Sequence, residues 1–243
     1  MAYDKPAALK SARLNTEMGA ALAKIDMMDL DGPRFGPEAG GAATSLVVLL
    51  HGLGADGNDL IALAPGLARS LPQAAFVAPD APFPCDMAPF GLQWFSLQES
   101  GGDAMLSGAR MTAPILDAFL DQELEKLGLG DDRLALVGFS QGTMMALQVG
   151  LRRPKTCAQI VGFSGHLVGA DNLAEEIVSR PPVLLVHGDA DEVIPVQALP
   201  AAVKALKANK VTVESHVRPG LGHGIDPQGI GLAAGALLRA LEE

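Results

Sequence analysis

Leu134-Ala-Leu-Val-Gly-Phe-Ser-Gln-Gly142 is the stretch that decides the fold, together with the apolar Thr143–Gly150 behind it. Residues 134–139 form a short continuous apolar run, the pattern of a strand buried on both faces. Residues 141–152 carry helical spacing. Between them, Gly138-Phe139-Ser140-Gln141-Gly142 leaves only a cramped strand-to-helix turn, and its glycines let neighbouring backbone pass without a Cβ clash. Such a turn lifts the serine hydroxyl above the sheet, while the following helix aims its N-terminal amides and partial positive charge at it. The motif alone is common. In this strand–turn–helix setting it reads as a nucleophile rather than a merely tight turn.

Working outward, the same alternation repeats. Apolar runs at 45–50, 75–79, 158–163 and 183–187 predict further buried strands, and 211–217 alternates as an edge strand would. Helical patterns occupy 58–70, 108–128, 196–208 and 227–242, the last opened by Asp226 as N-cap and Pro227 at the first helical position. Strands alternating with helices predict an α/β fold, a mostly parallel central sheet with helices on both faces. Ligand sites in such sheets lie beyond the carboxyl ends of the strands. Upstream, Leu14, Met18, Ala21, Leu22 and Ile25 space an amphipathic helix over 8–28, and the Gly- and Pro-bearing 32–44 reads as a connection. Residues 1–44 are thus expected as an N-terminal extension and 45–243 as one catalytic-sized domain.

The composition narrows the partners. With 243 residues, 49% hydrophobic and 19% charged, the chain is an ordinary single-domain globular sequence. A formal charge of −10 with scattered Lys and Arg disfavours nucleic acid and stable membrane association, which need basic patches. The 2 cysteines, Cys85 and Cys157, are far apart and outside any C-x-x-C pair, so neither a disulfide framework nor a structural metal site is expected. No signal peptide or membrane span is visible, which makes the cytoplasm the expected compartment.

A serine hydroxyl needs an adjacent base with its own orienting partner. In α/β-hydrolase sheets, where such an elbow is found, the chain order is serine, acid, histidine. His51 precedes Ser140, and His166 and His187 leave no room for an acid after a later strand. His216 lies within the edge strand. His223 remains, in the flexible loop Gly220-Leu-Gly-His-Gly224. For the acid, Asp189, Asp191 and Glu192 compete after the strand at 183–187, and turn capping accounts equally well for two of them. A second serine, Ser164 in Gly162-Phe-Ser-Gly-His166, also follows a strand, but His at its +2 position and the absence of an immediate helix make it a turn residue.

Donors for a tetrahedral oxyanion are expected from the amide after the nucleophile, Gln141, and from the loop His51-Gly-Leu-Gly54, through the Leu53 amide. Gly52-Leu-Gly-Ala-Asp-Gly57 also reads G-x-G-x-x-G, part of a dinucleotide fingerprint. Against that, Asp56-Gly-Asn-Asp59 looks like a turn and helix cap, and a nucleotide site would leave the serine elbow unexplained. A non-catalytic binding protein on the same fold is the remaining alternative, disfavoured because serine, acid and histidine are all present. Residues 81–98 combine prolines with Phe83, Phe90, Trp94 and Phe95, and predict a wall or lid over an acyl-binding cleft or a satellite core.

Taken together, H-G-L-G-A-D-G-N-D at 51–59, Q-W-F at 93–95, G-F-S-Q-G at 138–142, H-G-D-A-D-E-V-I-P at 187–195 and G-L-G-H-G at 220–224 resemble the phospholipase/carboxylesterase family, which includes the acyl-protein thioesterases. The resemblance implies a compact α/β-hydrolase without cofactor or metal that acts on small-molecule esters, thioesters or lysophospholipids. It implies Ser140, Asp191 and His223 as the triad, Leu53 and Gln141 as oxyanion donors, and Trp94, Phe90, Met144 and Val193 as substrate contacts. It is also compatible with a homodimer. The N-terminal 45 residues and the long 81–110 connection depart from the smallest members and bear on substrate size.

Overall fold

The computed structural model describes residues 29–98 and 101–242, so the helix expected over 8–28 lies outside the described residues. The strands are β1 (Arg34–Phe35), β2 (Ser45–Leu50), β3 (Ala74–Val77), β4 (Phe83–Pro84), β5 (Leu92–Gln93), β6 (Leu134–Phe139), β7 (Gln159–Phe163), β8 (Val183–Gly188) and β9 (Val213–Arg218). The α-helices are α1 (Gly57–Ile61), α2 (Ala64–Ala68), α3 (Gly102–Leu127), α4 (Gln141–Gly150), α5 (Leu173–Glu176), α6 (Ala198–Ala208) and α7 (Pro227–Leu241). Seven strands form one sheet in the order β1-β3-β2-β6-β7-β8-β9. All neighbours run parallel except β1, which pairs antiparallel with β3.

The continuous apolar runs follow from a sheet covered on both sides. In β2, Leu46, Val48 and Leu50 enter one core with residues of α3, α4 and α6, while Val47 and Leu49 enter a second with residues of α1, α2 and α7. Each such side chain stabilises the fold by about 1.5–3 kcal/mol when fully buried, so both faces of the strand select apolar residues. β9 instead is partly exposed along its length at the end of the sheet, the edge position that the sequence predicts. Among the described residues, no helix is long and apolar enough to cross a membrane.

Four features differ from the sequence expectations. The sheet begins before residue 45: β1 lies inside the stretch read as a connection, and Arg34 bonds Glu123 of α3. The helix expected over 58–70 is two short ones, because Pro65 has no N–H to continue α1 and its ring crowds the preceding turn. α3 starts at Gly102, earlier than expected. Part of 81–98 is paired, β4 with β5 in a small antiparallel hairpin that bridges to the 52–55 loop through Ala55 and Leu92.

Candidate active site

Ser140 sits between β6 and α4 at φ 54 and ψ −116, a conformation that costs an L-residue on the order of 1–3 kcal/mol. Close packing on both sides enforces it. A Cβ on Gly138 would lie 2.4 Å from the Gly142 carbonyl carbon, and one on Gly142 would lie 1.9 Å from the Leu50 carbonyl oxygen. The Ser140 amide donates to the Phe163 carbonyl of β7 (2.9 Å), which ties the turn to the next strand. The Thr143 hydroxyl reaches the carbonyls of Gly138 (2.8 Å) and Phe163 (2.9 Å) from the first turn of α4.

Of the three carboxylates after β8, the structure brings one to the histidine. Asp191 Oδ2 lies 2.8 Å from His223 Nδ1, while its Oδ1 accepts the amides of Val193 (2.9 Å) and Ile194 (2.8 Å). Burial alone would raise the Asp191 pKa, but the bonds from His223 and these two amides outweigh it and hold the carboxyl below its ordinary value. An ionised carboxylate can only accept, so Nδ1 carries the imidazole proton and Nε2 is left as a free acceptor. Asp189 instead accepts the Gly220 amide (2.6 Å), bracing the histidine loop against the end of β8. The far side of that loop is held by Arg218, which bonds the Asp226 carboxylate (2.9 Å) just before α7.

The His223 ring packs on Phe139, the residue before the serine, with centroids 4.9 Å apart. Ser140 Oγ makes no hydrogen bond among the described residues, and the serine is 9% exposed. His187, excluded as a base by chain order, has a contact that order does not reveal. Its Nε2 donates to the Ile194 carbonyl (2.8 Å) and lies 3.3 Å from Asp191 Oδ2. His216 pairs with Glu214 on the edge strand, as its position predicts.

The 52–55 loop flanks the serine on the other side. A Cβ on Gly52 would be 3.3 Å from Ser140 Cβ. Among the described residues, neither Leu53 nor Gln141 donates its main-chain N–H to a protein acceptor. The G-x-G-x-x-G reading of this loop finds no support in its contacts. Asp56 caps α1 in a capping box with Asp59, and Asp80 accepts the Gly57 amide (2.8 Å).

The four expected substrate contacts divide. Phe90 (73% exposed) and Val193 (66% exposed) project from the loop between β4 and β5 and from the turn that follows Asp191. Trp94 (0% exposed) and Met144 are buried. The Trp94 indole is drawn inward because its Nε1 donates to the buried His51 carbonyl (3.0 Å), and Met144 faces the core beneath α4.

Comparison with known proteins fits this arrangement. The phospholipase/carboxylesterase family model matches residues 37–237. The chain belongs to that family. Esterase PE8, solved by crystallography, is 45% identical and superposes with a TM-score of 0.84, covering 88% of this chain and all (100%) of that one. A protein of Oryza sativa subsp. japonica named "Probable carboxylesterase" is 32% identical over 79% of this chain and 77% of its own. Acyl-protein thioesterase 1 of Gibberella zeae is 26% identical over 76% of this chain and 86% of its own. With these neighbours, the mostly parallel sheet and its helices are an α/β-hydrolase fold.

Proposed function

We propose that the chain is a serine carboxylesterase that cleaves small-molecule carboxylic esters through Ser140, His223 and Asp191. The observation that carries this reading is the 2.8 Å bond from His223 Nδ1 to the held carboxylate of Asp191. It leaves the second ring nitrogen as an acceptor on an imidazole packed against Phe139, the residue before the strained serine. Catalytic hydrogen bonds commonly tighten only once substrate is bound.

In the first half-reaction, His223 Nε2 takes the Ser140 proton as Oγ attacks the carbonyl carbon. The Leu53 and Gln141 amides receive the developing oxyanion, and Asp191 stabilises the imidazolium. His223 then returns the proton to the departing oxygen or sulfur, and the C–O or C–S bond breaks to leave an acyl-serine. Water, activated by the same imidazole, attacks the acyl-serine, and the acid product departs with Ser140 reprotonated. Phe90 and Val193 are the proposed apolar contacts for the acyl chain, each exposed beside the loops that carry this chemistry.

The test is turnover of p-nitrophenyl esters of increasing acyl length, with matched thioesters, by wild type and Ser140→Ala. Wild type is expected to prefer short or medium chains, and Ser140→Ala to be inactive with an unchanged fold. Retained turnover in the purified variant overturns the assignment, and an indifferent length profile removes the role of Phe90 and Val193.

A further inference from the structure

We infer that His51, which the proposed cycle does not use, is a positioning residue that aims the Leu53 amide at the oxyanion. This inference rests on the proposed serine-esterase reading of the site. His51 directly follows β2 and is fully buried, yet both ring nitrogens have main-chain partners. The Ala81 amide lies 3.0 Å from Nε2, and the Gly52 carbonyl lies 2.8 Å from Nδ1. An amide N–H can only donate and a carbonyl can only accept. Both contacts are therefore satisfied by one species alone, the neutral imidazole with its proton on Nδ1. Burial lowers the His51 pKa and keeps it in that form.

The consequence lies in the peptide unit that His51 grips. The Gly52 carbonyl and the Leu53 N–H belong to the same planar trans peptide and point in opposite directions. Drawing the carbonyl toward the buried imidazole turns the N–H the other way, and Gly52 itself lies against Ser140. Flipping that peptide would exchange a donor for an acceptor, and an acceptor beside the oxyanion would repel it.

A second set of bonds joins this half of the oxyanion site to the other. Gln141 supplies the second donor amide through its backbone. Its side chain accepts the Trp94 amide (2.9 Å) and donates to the Phe95 carbonyl (2.8 Å). The Trp94 indole then donates to the His51 carbonyl (3.0 Å), and the Thr112 hydroxyl of α3 anchors the Trp94 carbonyl (2.7 Å). The two donors are thus set relative to each other through Trp94 and His51. This is the work of an aromatic residue that the resemblance makes a substrate contact.

Two substitutions separate this role from simple packing. The amide of asparagine reaches where Nδ1 lies and can keep the bond to Gly52, whereas that of glutamine reaches where Nε2 lies and keeps only the Ala81 contact. His51→Gln is expected to lower kcat about 10- to 100-fold with KM nearly unchanged, because both half-reactions use the oxyanion site. His51→Asn is expected to stay within about fivefold of wild-type kcat even if its Tm falls further. Equal kcat losses in the two variants, or losses that track Tm, overturn the inference.

Trp94→Phe keeps an aromatic ring but removes the N–H to the His51 carbonyl together with part of the indole's volume. It is expected to lower kcat about three- to tenfold at constant KM. Should His51→Gln fail to fold, an unchanged kcat in Trp94→Phe overturns the inference instead. Ser140→Ala is measured in parallel. If it stays active, the esterase reading of the site falls and takes this inference with it. If it is inactive while His51→Gln turns over like wild type, only the inference about His51 falls.

Discussion

Ser140 and Ser164 stand at the carboxyl ends of neighbouring strands, β6 and β7, and locally they are near copies. Both have positive φ, 54 and 45, and both amides donate to the next strand's carbonyl, Phe163 and Val186, at 2.9 Å. They part at the next residues. After Ser140 the chain enters α4 at once, with the Gly52 backbone against the serine and the His223 ring on the preceding Phe139. After Ser164 the chain turns through Gly165, where a Cβ would lie 2.3 Å from the Thr143 side chain. The Ser164 hydroxyl is sealed at 1% exposure with no hydrogen-bond partner among the described residues. Strain at a strand end is therefore a feature this sheet repeats. What distinguishes a nucleophile is the room, the donors and the base around it.

The largest effect expected from this contrast is at Ser140. Ser140→Ala should lower kcat for a p-nitrophenyl ester by about 10^4- to 10^6-fold, because no other group in the site can take over the attack. Next comes the acid. Asp191→Asn should lower kcat by about 10^3- to 10^4-fold, since an amide facing Nδ1 favours the wrong tautomer of His223. Asp189→Asn can still accept the Gly220 amide and should stay within about tenfold of wild type in the same assay, so equal losses at 189 and 191 would erase the distinction between them. The smallest effect is expected at the second serine. Ser164→Ala should leave kcat within about twofold and be neutral or stabilising by up to about 1 kcal/mol, because it removes a buried hydroxyl that has no partner. Thermal unfolding and steady-state turnover check both halves, and a large kcat loss there would mean the two serines are not as different as their surroundings.

Much of this was legible in the residue pattern because one physical rule produces it. A strand with a core on each face must be apolar throughout, so β2, β6, β7 and β8 announce themselves as short runs bounded by glycine or polar residues. Chain order in such a sheet, with His216 set aside as an edge-strand residue, then narrows five histidines to His223. Asp191 could not be separated from Asp189 by spacing, because both are turn aspartates. The choice came from resemblance, and the contact that distinguishes them, with the His223 ring rather than with Gly220, exists only in three dimensions.

The hidden elements are those held by main-chain or long-range partners. β1 is two residues long, too short for any periodicity, and owes its place to pairing with β3. The break between α1 and α2 was signalled by Pro65, although the apolar spacing runs straight through it. For Trp94, the prolines and aromatics around it leave a cleft wall and a satellite core both open, and the resemblance makes it a pocket residue. Only the hairpin of β4 and β5 turns it inward, to a carbonyl 43 positions earlier. His51 carries no signal of its own beyond the glycines beside it, since its partners are main-chain atoms.

The most direct measurement is reaction of the wild-type chain with a fluorophosphonate, followed by digestion and mass mapping of the modified peptide. The account predicts one adduct per chain, on Ser140, and its loss in Asp191→Asn or His223→Ala at matched reagent concentration and time. An adduct on Ser164, or none on a chain that hydrolyses esters, would contradict it.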